Sequence, residues 1–206
     1  MKLFVTPNSP YARIARIAAM EAGLSDRIEE VRVVNRSPDS PLLAYSPVCR
    51  VPTLVAGALV LGESQSICAY FDQTAGAARC FPEDRTADWQ ARALESVVTG
   101  FLDGVAVWNR ELRREATAQS AFLLEVEARR AERCLDHLEA ACPADPAAWP
   151  WDFTRIALAA TLGILDHGLP AIDWRQGRPR LAAWFAAASA RPSMRATAPE
   201  VPARQG

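Results

Sequence analysis

Apolar and polar positions change their period along this chain, and the changes divide it. Lys2–Thr6 is a short apolar run closed by the turn-formers Pro7-Asn8-Ser9-Pro10, which predicts a strand and then a turn. Ile14, Ile17, Ala18 and Leu24 then recur at helical spacing, and Gly23 sits where such a helix stops. Ile28–Val34 alternates apolar and polar residues, the signature of a second strand. Pro38–Tyr45 reads as a short helix or an irregular segment. Val51–Val55 and Leu59–Leu61 flank Ala56-Gly57-Ala58 and predict a hairpin, after which Ser64–Thr74 is helical. The order β-α-β-α-β-β-α has a physical consequence. Strands joined through a helical crossover run parallel, and strands joined by a tight turn run antiparallel, so the product is a small mixed sheet with helices on its faces.

Beyond Gly76–Asp84, a stretch of Gly, Pro and charge, the strand signals end. Arg85–Glu115 and Ala118–Ala141 are long and helix-favouring. The second carries Leu124, Ala128, Ala131, Leu135 and Leu138 at steps of three and four. Three prolines break the chain in Cys142–Pro150. Phe153–Leu165 is apolar almost all round, as the central buried helix of a helical unit must be. Arg178–Ala190 is a last helix, with Leu181, Trp184 and Phe185 on one side. The expected organisation is therefore an α/β unit at 1–75, a linker at 76–84, an all-α unit at 85–195 and a loosely ordered tail at 196–206, which has little to bury.

Composition narrows the function classes. Half of the 206 residues are apolar and 23% are charged, a globular balance. The formal net charge of −1, with no long single-sign run, predicts no nucleic-acid partner. No run of 18 apolar residues occurs, and Met1–Thr6 lacks the zones of a signal peptide, so no membrane span and a cytoplasmic location are expected. Cys49, Cys68, Cys80, Cys134 and Cys142 are odd in number and fit no disulfide framework, which predicts reduced thiols. With no CxxC and only His137 and His167, no metal site is expected.

Three segments of the first half carry chemistry. In Ser9-Pro10-Tyr11-Ala12-Arg13, Ser9 fits a helix N-cap and Pro10 the first helical position. A hydroxyl there lies in the positive field of a helix start, and it can accept from the backbone while donating its own proton. A thiolate placed against it would be stabilised by both, so capping and catalysis are compatible at Ser9. In Arg50-Val51-Pro52-Thr53-Leu54, Val51-Pro52 reads either as a trans pair entering an edge strand or as a cis bond. The cis form would turn the Val51 N–H and C=O outward to pair with an extended peptide. Glu63-Ser64-Gln65-Ser66-Ile67 opens a helix. It reads either as a plain cap or as a receptor for an amino-acid end, with Glu63 meeting an ammonium and Ser64 a carboxylate.

In this order and spacing, S-P-Y-A-R, V-P-T-L and E-S-x-S-I resemble the cytosolic glutathione transferase family, over nearly the whole chain. The resemblance implies a thioredoxin-like domain that holds glutathione as co-substrate, an all-helical domain, a homodimer and no metal. Because a serine stands at the start of the first helix, it implies a serine-type bacterial member in which Ser9 donates to the glutathione thiolate. Val51 would pair with the cysteinyl part, Pro52 would be cis, and Glu63 and Ser64 would hold the γ-glutamyl end. Arg50 would lie near the glycyl carboxylate, and Arg13 would support the fold. The small electrophile, apolar, aromatic or a peroxide, would bind between the domains near Tyr11, Trp108, Asn109 and Arg113. For Trp108, core or dimer packing is an equal alternative. Asp103 would reach a partner subunit's glutathione amine. The same site would also suit a glutathione-binding, non-catalytic dimeric scaffold or regulator, or a glutathione-dependent isomerase. The retained set Ser9, Pro52, Glu63 and Ser64 favours the transferase.

Two departures from the family pattern stand out. Where relatives carry N-P-x-G-K/R before V-P, this chain has Ser46-Pro47-Val48-Cys49-Arg50, so a thiol replaces a glycine. The capping box of the buried helix reads Asp152-Phe153-Thr154-Arg155, in which Asp152 can cap but Arg155 cannot return the reciprocal bond.

Overall fold

The computed structural model describes residues 1–77, 80–82, 88–169 and 172–200. Strand β1 (Lys2–Val5), helix α1 (Pro10–Glu21) and strand β2 (Glu29–Arg32) come first, and a 3-10 turn at Pro41–Ala44 follows. Strands β3 (Thr53–Ala56) and β4 (Leu59–Gly62) form the hairpin, and helix α2 (Ser64–Ala75) closes the unit. The sheet order is β2-β1-β3-β4, with β1 parallel to β2 and antiparallel to β3, and β3 antiparallel to β4. This is the predicted mixed sheet. The segment between β2 and β3 is the alternative that periodicity left open: one 3-10 turn, with Leu42 buried in it, in an otherwise irregular stretch. β2 ends before Val34 because the chain turns at Asn35, although Val33 still donates its N–H to the Val5 carbonyl at 3.0 Å.

Register decides where the chemistry can lie. Phe4 pairs with Thr53, and Thr53 pairs with Gly62. The chain leaving β1 towards Ser9, the chain entering β3 through Val51-Pro52, and the chain leaving β4 into Glu63-Ser64 therefore emerge at one end of the sheet. Three segments far apart in sequence share a rim because two antiparallel pairings, β1 with β3 and β3 with β4, put them there.

The remaining helices are α3 (Trp89–Glu111), α4 (Ala121–Ala141), α5 (Phe153–Gly168), α6 (Pro179–Ser189) and α7 (Pro192–Ala196). α5 is the central helix: every residue from Phe153 to Leu165 is buried, and it packs against α1, α3 and α6. Asp152 caps it, accepting from the Arg155 N–H at 3.0 Å. The Arg155 guanidinium also pairs with that carboxylate at 2.9 Å, so the arginine that cannot complete a capping box contributes an ion pair instead. α4 starts at Ala121 because Ser120 caps it, accepting from Leu123 N–H at 3.3 Å. The expected start of the preceding helix at Arg85 lies outside the described residues; Asp88 accepts from Ala91 N–H at 2.9 Å and opens α3 there. Of the linker, Cys80 and Phe81 donate their N–H groups to the Asp72 carboxylate at 2.9–3.0 Å, and Phe81 stacks on Phe153 at 5.0 Å.

Within the expected tail, Thr197 is buried and meets Arg13 of α1, and Glu200 meets Asn8 in the loop before α1, long-range pairings that local apolar content does not register. Residues 201–206 lie outside the described residues. Among the described residues, no helix is long and apolar enough to cross a membrane, and no cluster of His, Cys, Asp and Glu is placed to hold a metal ion.

Candidate functional site

Ser9 is the N-cap of α1. Its backbone is extended (φ −77°, ψ 121°), its Oγ accepts from Ala12 N–H at 3.2 Å, and Pro10 takes the first helical position. Both sequence readings of Ser9 therefore stay open in one geometry. The cap consumes an oxygen lone pair, while the hydroxyl proton is not committed to an acceptor among the described residues.

At the same rim, the Val51-Pro52 peptide bond is cis, and Val51 and Pro52 are both buried. Thr53 Oγ1 donates to the Arg50 carbonyl at 2.7 Å and holds the turn before β3. The Arg50 side chain is exposed and makes no ion pair among the described residues. Cys49 has φ +48°, the left-handed region that favours glycine. Its thiol donates to the Asn35 carbonyl at 3.2 Å, so the sulfur is engaged within its own loop.

Glu63 has φ +63°, another left-handed non-glycine residue, and its side chain is exposed without forming a cap bond. Holding a glutamate there costs about 1–3 kcal/mol, and such strain concentrates at functional sites. Ser64 is the first residue of α2 and is buried. A free carboxylate beside a helix N-terminus offers one group to a cation and another to an anion, as a receptor for a zwitterionic amino-acid end requires.

Tyr11 faces the helical unit. Its hydroxyl donates to Asp103 Oδ1 on α3 at 2.5 Å. Burial first, then the bond to Asp103 and its charge, push the Tyr11 phenol far above its ordinary value, so it remains a proton donor. Arg110 acts in the opposite direction and Glu63 in the same one, so Tyr11 lies within the fields of both. At 100° per residue, Arg110 shares the Asp103 side of α3, about 10.5 Å along its axis.

The other candidates on α3 separate from this group. Trp108 belongs to the buried core, the packing alternative. Asn109 turns towards α5, where a Cβ at Gly168 would lie 2.6 Å from its Oδ1; that oxygen is buried without a hydrogen-bond partner. Arg113 lies past the end of α3, exposed and without an ion pair among the described residues. Ser9, Tyr11, Arg50, Val51, Pro52, Glu63 and Ser64 thus lie at one end of the sheet, where Tyr11 meets α3 through Asp103. Trp108 packs in the core and Asn109 against Gly168 of α5. The Asp103 carboxylate, expected to reach a partner subunit, accepts the Tyr11 hydroxyl within the chain.

One set of contacts had no local signal. Asn8, read only as a turn-former, pairs through its side-chain amide with the Glu200 backbone: Nδ2 donates to the carbonyl at 3.1 Å, and Oδ1 accepts from the N–H at 2.8 Å. The partners are 192 positions apart, and only the tertiary fold brings them together.

Comparison with known proteins bears on the family and the fold. The family model for the glutathione S-transferase N-terminal domain matches residues 8–74. A glutathione transferase family member from Pseudomonas fluorescens Pf-5, solved with bound S-(propanoic acid)-glutathione, is 32% identical, with a TM-score of 0.84 over 98% of this chain and 100% of that one. A glutathione S-transferase from Methylobacillus flagellatus KT with glutathione bound is 29% identical, with a TM-score of 0.85 over 97% and 99% of the two chains. One from Methylobacterium radiotolerans, in complex with glutathione sulfonate, is 26% identical, with a TM-score of 0.85 over 100% and 97%. No curated protein sequence matches. The chain belongs to the glutathione transferase family, with an N-terminal thioredoxin-like domain and a helical C-terminal region.

Proposed function

We propose that this protein is a glutathione transferase in which Ser9 stabilises the thiolate of bound glutathione for attack on a small electrophile. The observation that carries the reading is the Ser9 hydroxyl at the N-terminus of α1, with its oxygen capping the helix and its proton free to donate. The helix-end field and the hydroxyl both favour S⁻ over SH, which draws a thiol down from its usual value of ~8.5. The sulfur lone pair then forms the S–C bond, and the leaving group departs with its electron pair. No metal enters this step.

The tripeptide would lie along the sheet rim. Val51, preceding cis-Pro52, presents its main chain to the cysteinyl part; Glu63 takes the γ-glutamyl ammonium, and Ser64 with the start of α2 takes its carboxylate. Arg50, exposed and unpaired among the described residues, takes the glycyl carboxylate. The Tyr11 ring, held by Asp103, forms one wall of the electrophile site. The relatives solved with glutathione and glutathione derivatives support glutathione as the ligand. A cytoplasmic homodimer accords with the reading.

Equilibrium titration with glutathione, together with conjugation of 1-chloro-2,4-dinitrobenzene by wild type and Ser9→Ala, tests it. Binding at millimolar levels or tighter is expected, with the variant's kcat reduced by about 10²-fold, the effect of removing one donor to a developing anion. Absence of binding at millimolar glutathione would eliminate the transferase reading. Binding without turnover would leave the scaffold in its place.

A further inference from the structure

We infer that the C-terminal segment Arg191–Glu200 is a strap that positions the Ser9 loop, with Asn8 as the positioning residue at its end; the inference rests on Ser9 acting as proposed above. The segment runs back along α1, from the end of that helix to its beginning. At the far end, Arg191 Nη2 and Ser193 Oγ meet the Glu21 carboxylate at 2.8 and 2.5 Å. About two turns earlier in α1, the buried Arg13 guanidinium donates to the Met194 carbonyl at 3.1 Å and to Thr197 Oγ1 at 3.4 Å. At the beginning, the Asn8 amide closes its two-bond pair with the Glu200 backbone. Pro199, Asn8, Ser9 and Arg13 then line one narrow recess with Ile164 of α5.

This arrangement constrains the residue that matters. Asn8 precedes Ser9, and the Ser9 N–H bonds back to the Thr6 carbonyl at 3.3 Å, so the loop between β1 and α1 has few degrees of freedom left once Asn8 is held. The amide pair has the donor–acceptor pattern of one rung of a β-ladder, and it defines both the distance and the orientation of the Asn8 side chain. An exposed pair of this kind adds little stability, but a reacting group needs its position fixed, and displacement by about 1 Å can cost 10²-fold in rate. Asn8 touches no reacting atom and acts only through Ser9.

The test reads the pKa of glutathione's thiol in the enzyme complex, from thiolate absorbance against pH, alongside kcat and KM. Asn8→Ala removes both bonds. Glu200→Pro removes the backbone donor together with the Glu200 carboxylate, and substitutes no residue of the Ser9 loop. Arg32→Gln breaks the neighbouring ion pair to Glu200 (2.5 Å) and leaves the amide pair intact. The strap predicts that Asn8→Ala and Glu200→Pro both raise the bound-thiol pKa towards the Ser9→Ala value and lower kcat by about tenfold. Arg32→Gln should change neither. A fall in melting temperature with an unaltered thiol pKa, in either strap variant, would overturn the inference. If Ser9→Ala itself leaves the thiol pKa unchanged, the Ser9 reading fails and the strap's role falls with it; if only Ser9→Ala shifts it, the strap alone is refuted.

Discussion

At Cys49 the backbone needs a left-handed conformation, φ +48°, which glycine adopts at least cost and which fits the glycine that the resemblance leads one to expect there. The cost to a non-glycine residue is roughly 1 kcal/mol, and the thiol offsets part of it through its bond to the Asn35 carbonyl. Cys49→Gly should therefore be neutral or stabilising by up to about 1 kcal/mol in a denaturant melt, with the thiol pKa of bound glutathione unmoved. A lost or altered thiol pKa in that variant would instead implicate Cys49 in holding the sulfur. Gly163 presents the opposite case. Its φ is ordinary, but a Cβ would lie 2.4 Å from Arg13 Nη1. Burial, with help from Arg16, already pushes Arg13 down to about 10, and its bonds to Met194 and Thr197 leave it little room. Gly163→Ala should cost about 1–2 kcal/mol net: overpacking costs more than the helix gains from alanine. A rise in melting temperature would contradict that placement of Arg13.

At the scale of elements, α1 is the piece on which everything else is hung. It packs on α2, α5 and α7, its first turn meets α3 through Tyr11 and Asp103, and its last turn holds Arg191 and Ser193 through Glu21. Burial alone would raise the Glu21 pKa, but the hydrogen bonds from Arg191 and Ser193 outweigh it and hold the carboxyl below its ordinary value. A depressed carboxyl pKa contributes stability that is present above its unfolded value of ~4.3 and is lost as pH falls through the folded one. Wild type should thus exceed Glu21→Gln by about 1 kcal/mol at neutral pH, and the gap should close in acid; a gap independent of pH would place the Arg191 pairing elsewhere. Elements such as these were unequally legible in the sequence. α1, β1, the hairpin and α5 could be read because each has a strong local period or a turn signal: Ile14–Ile17–Ala18, Ala56-Gly57-Ala58, and the unbroken apolar run from Phe153. The rim residues Ser9, Val51-Pro52 and Glu63-Ser64 were legible through their motifs. The strap was not, because Asn8 and Glu200 are ordinary polar residues whose meaning depends on a contact 192 positions long. The side of α3 that faces Tyr11 was legible only in part: periodicity gives a face but not its azimuth, which left Trp108 open between core packing and the electrophile site, and gave no sign that Asn109 lies against Gly168 of α5.

At the scale of the whole molecule, two units share one helix-packed seam. The thioredoxin-like sheet brings three loops to a common rim, α5 anchors α1 from behind, and the C-terminal segment returns to the loop that carries Ser9. Glu63 and the start of α2, the cis Val51-Pro52 bond and the Ser9 hydroxyl at the start of α1 lie at that rim, and Tyr11 joins it to α3 through Asp103. The proposed chemistry turns on one sulfur atom, and ultraviolet titration of glutathione bound to wild type and to Ser9→Ala tests it directly. With Ser9 donating to that sulfur, the bound-thiol pKa is expected well below the ordinary ~8.5 in wild type, with a return towards that value in Ser9→Ala. Equal pKa values in the two proteins would contradict it and leave Ser9 as a helix cap alone.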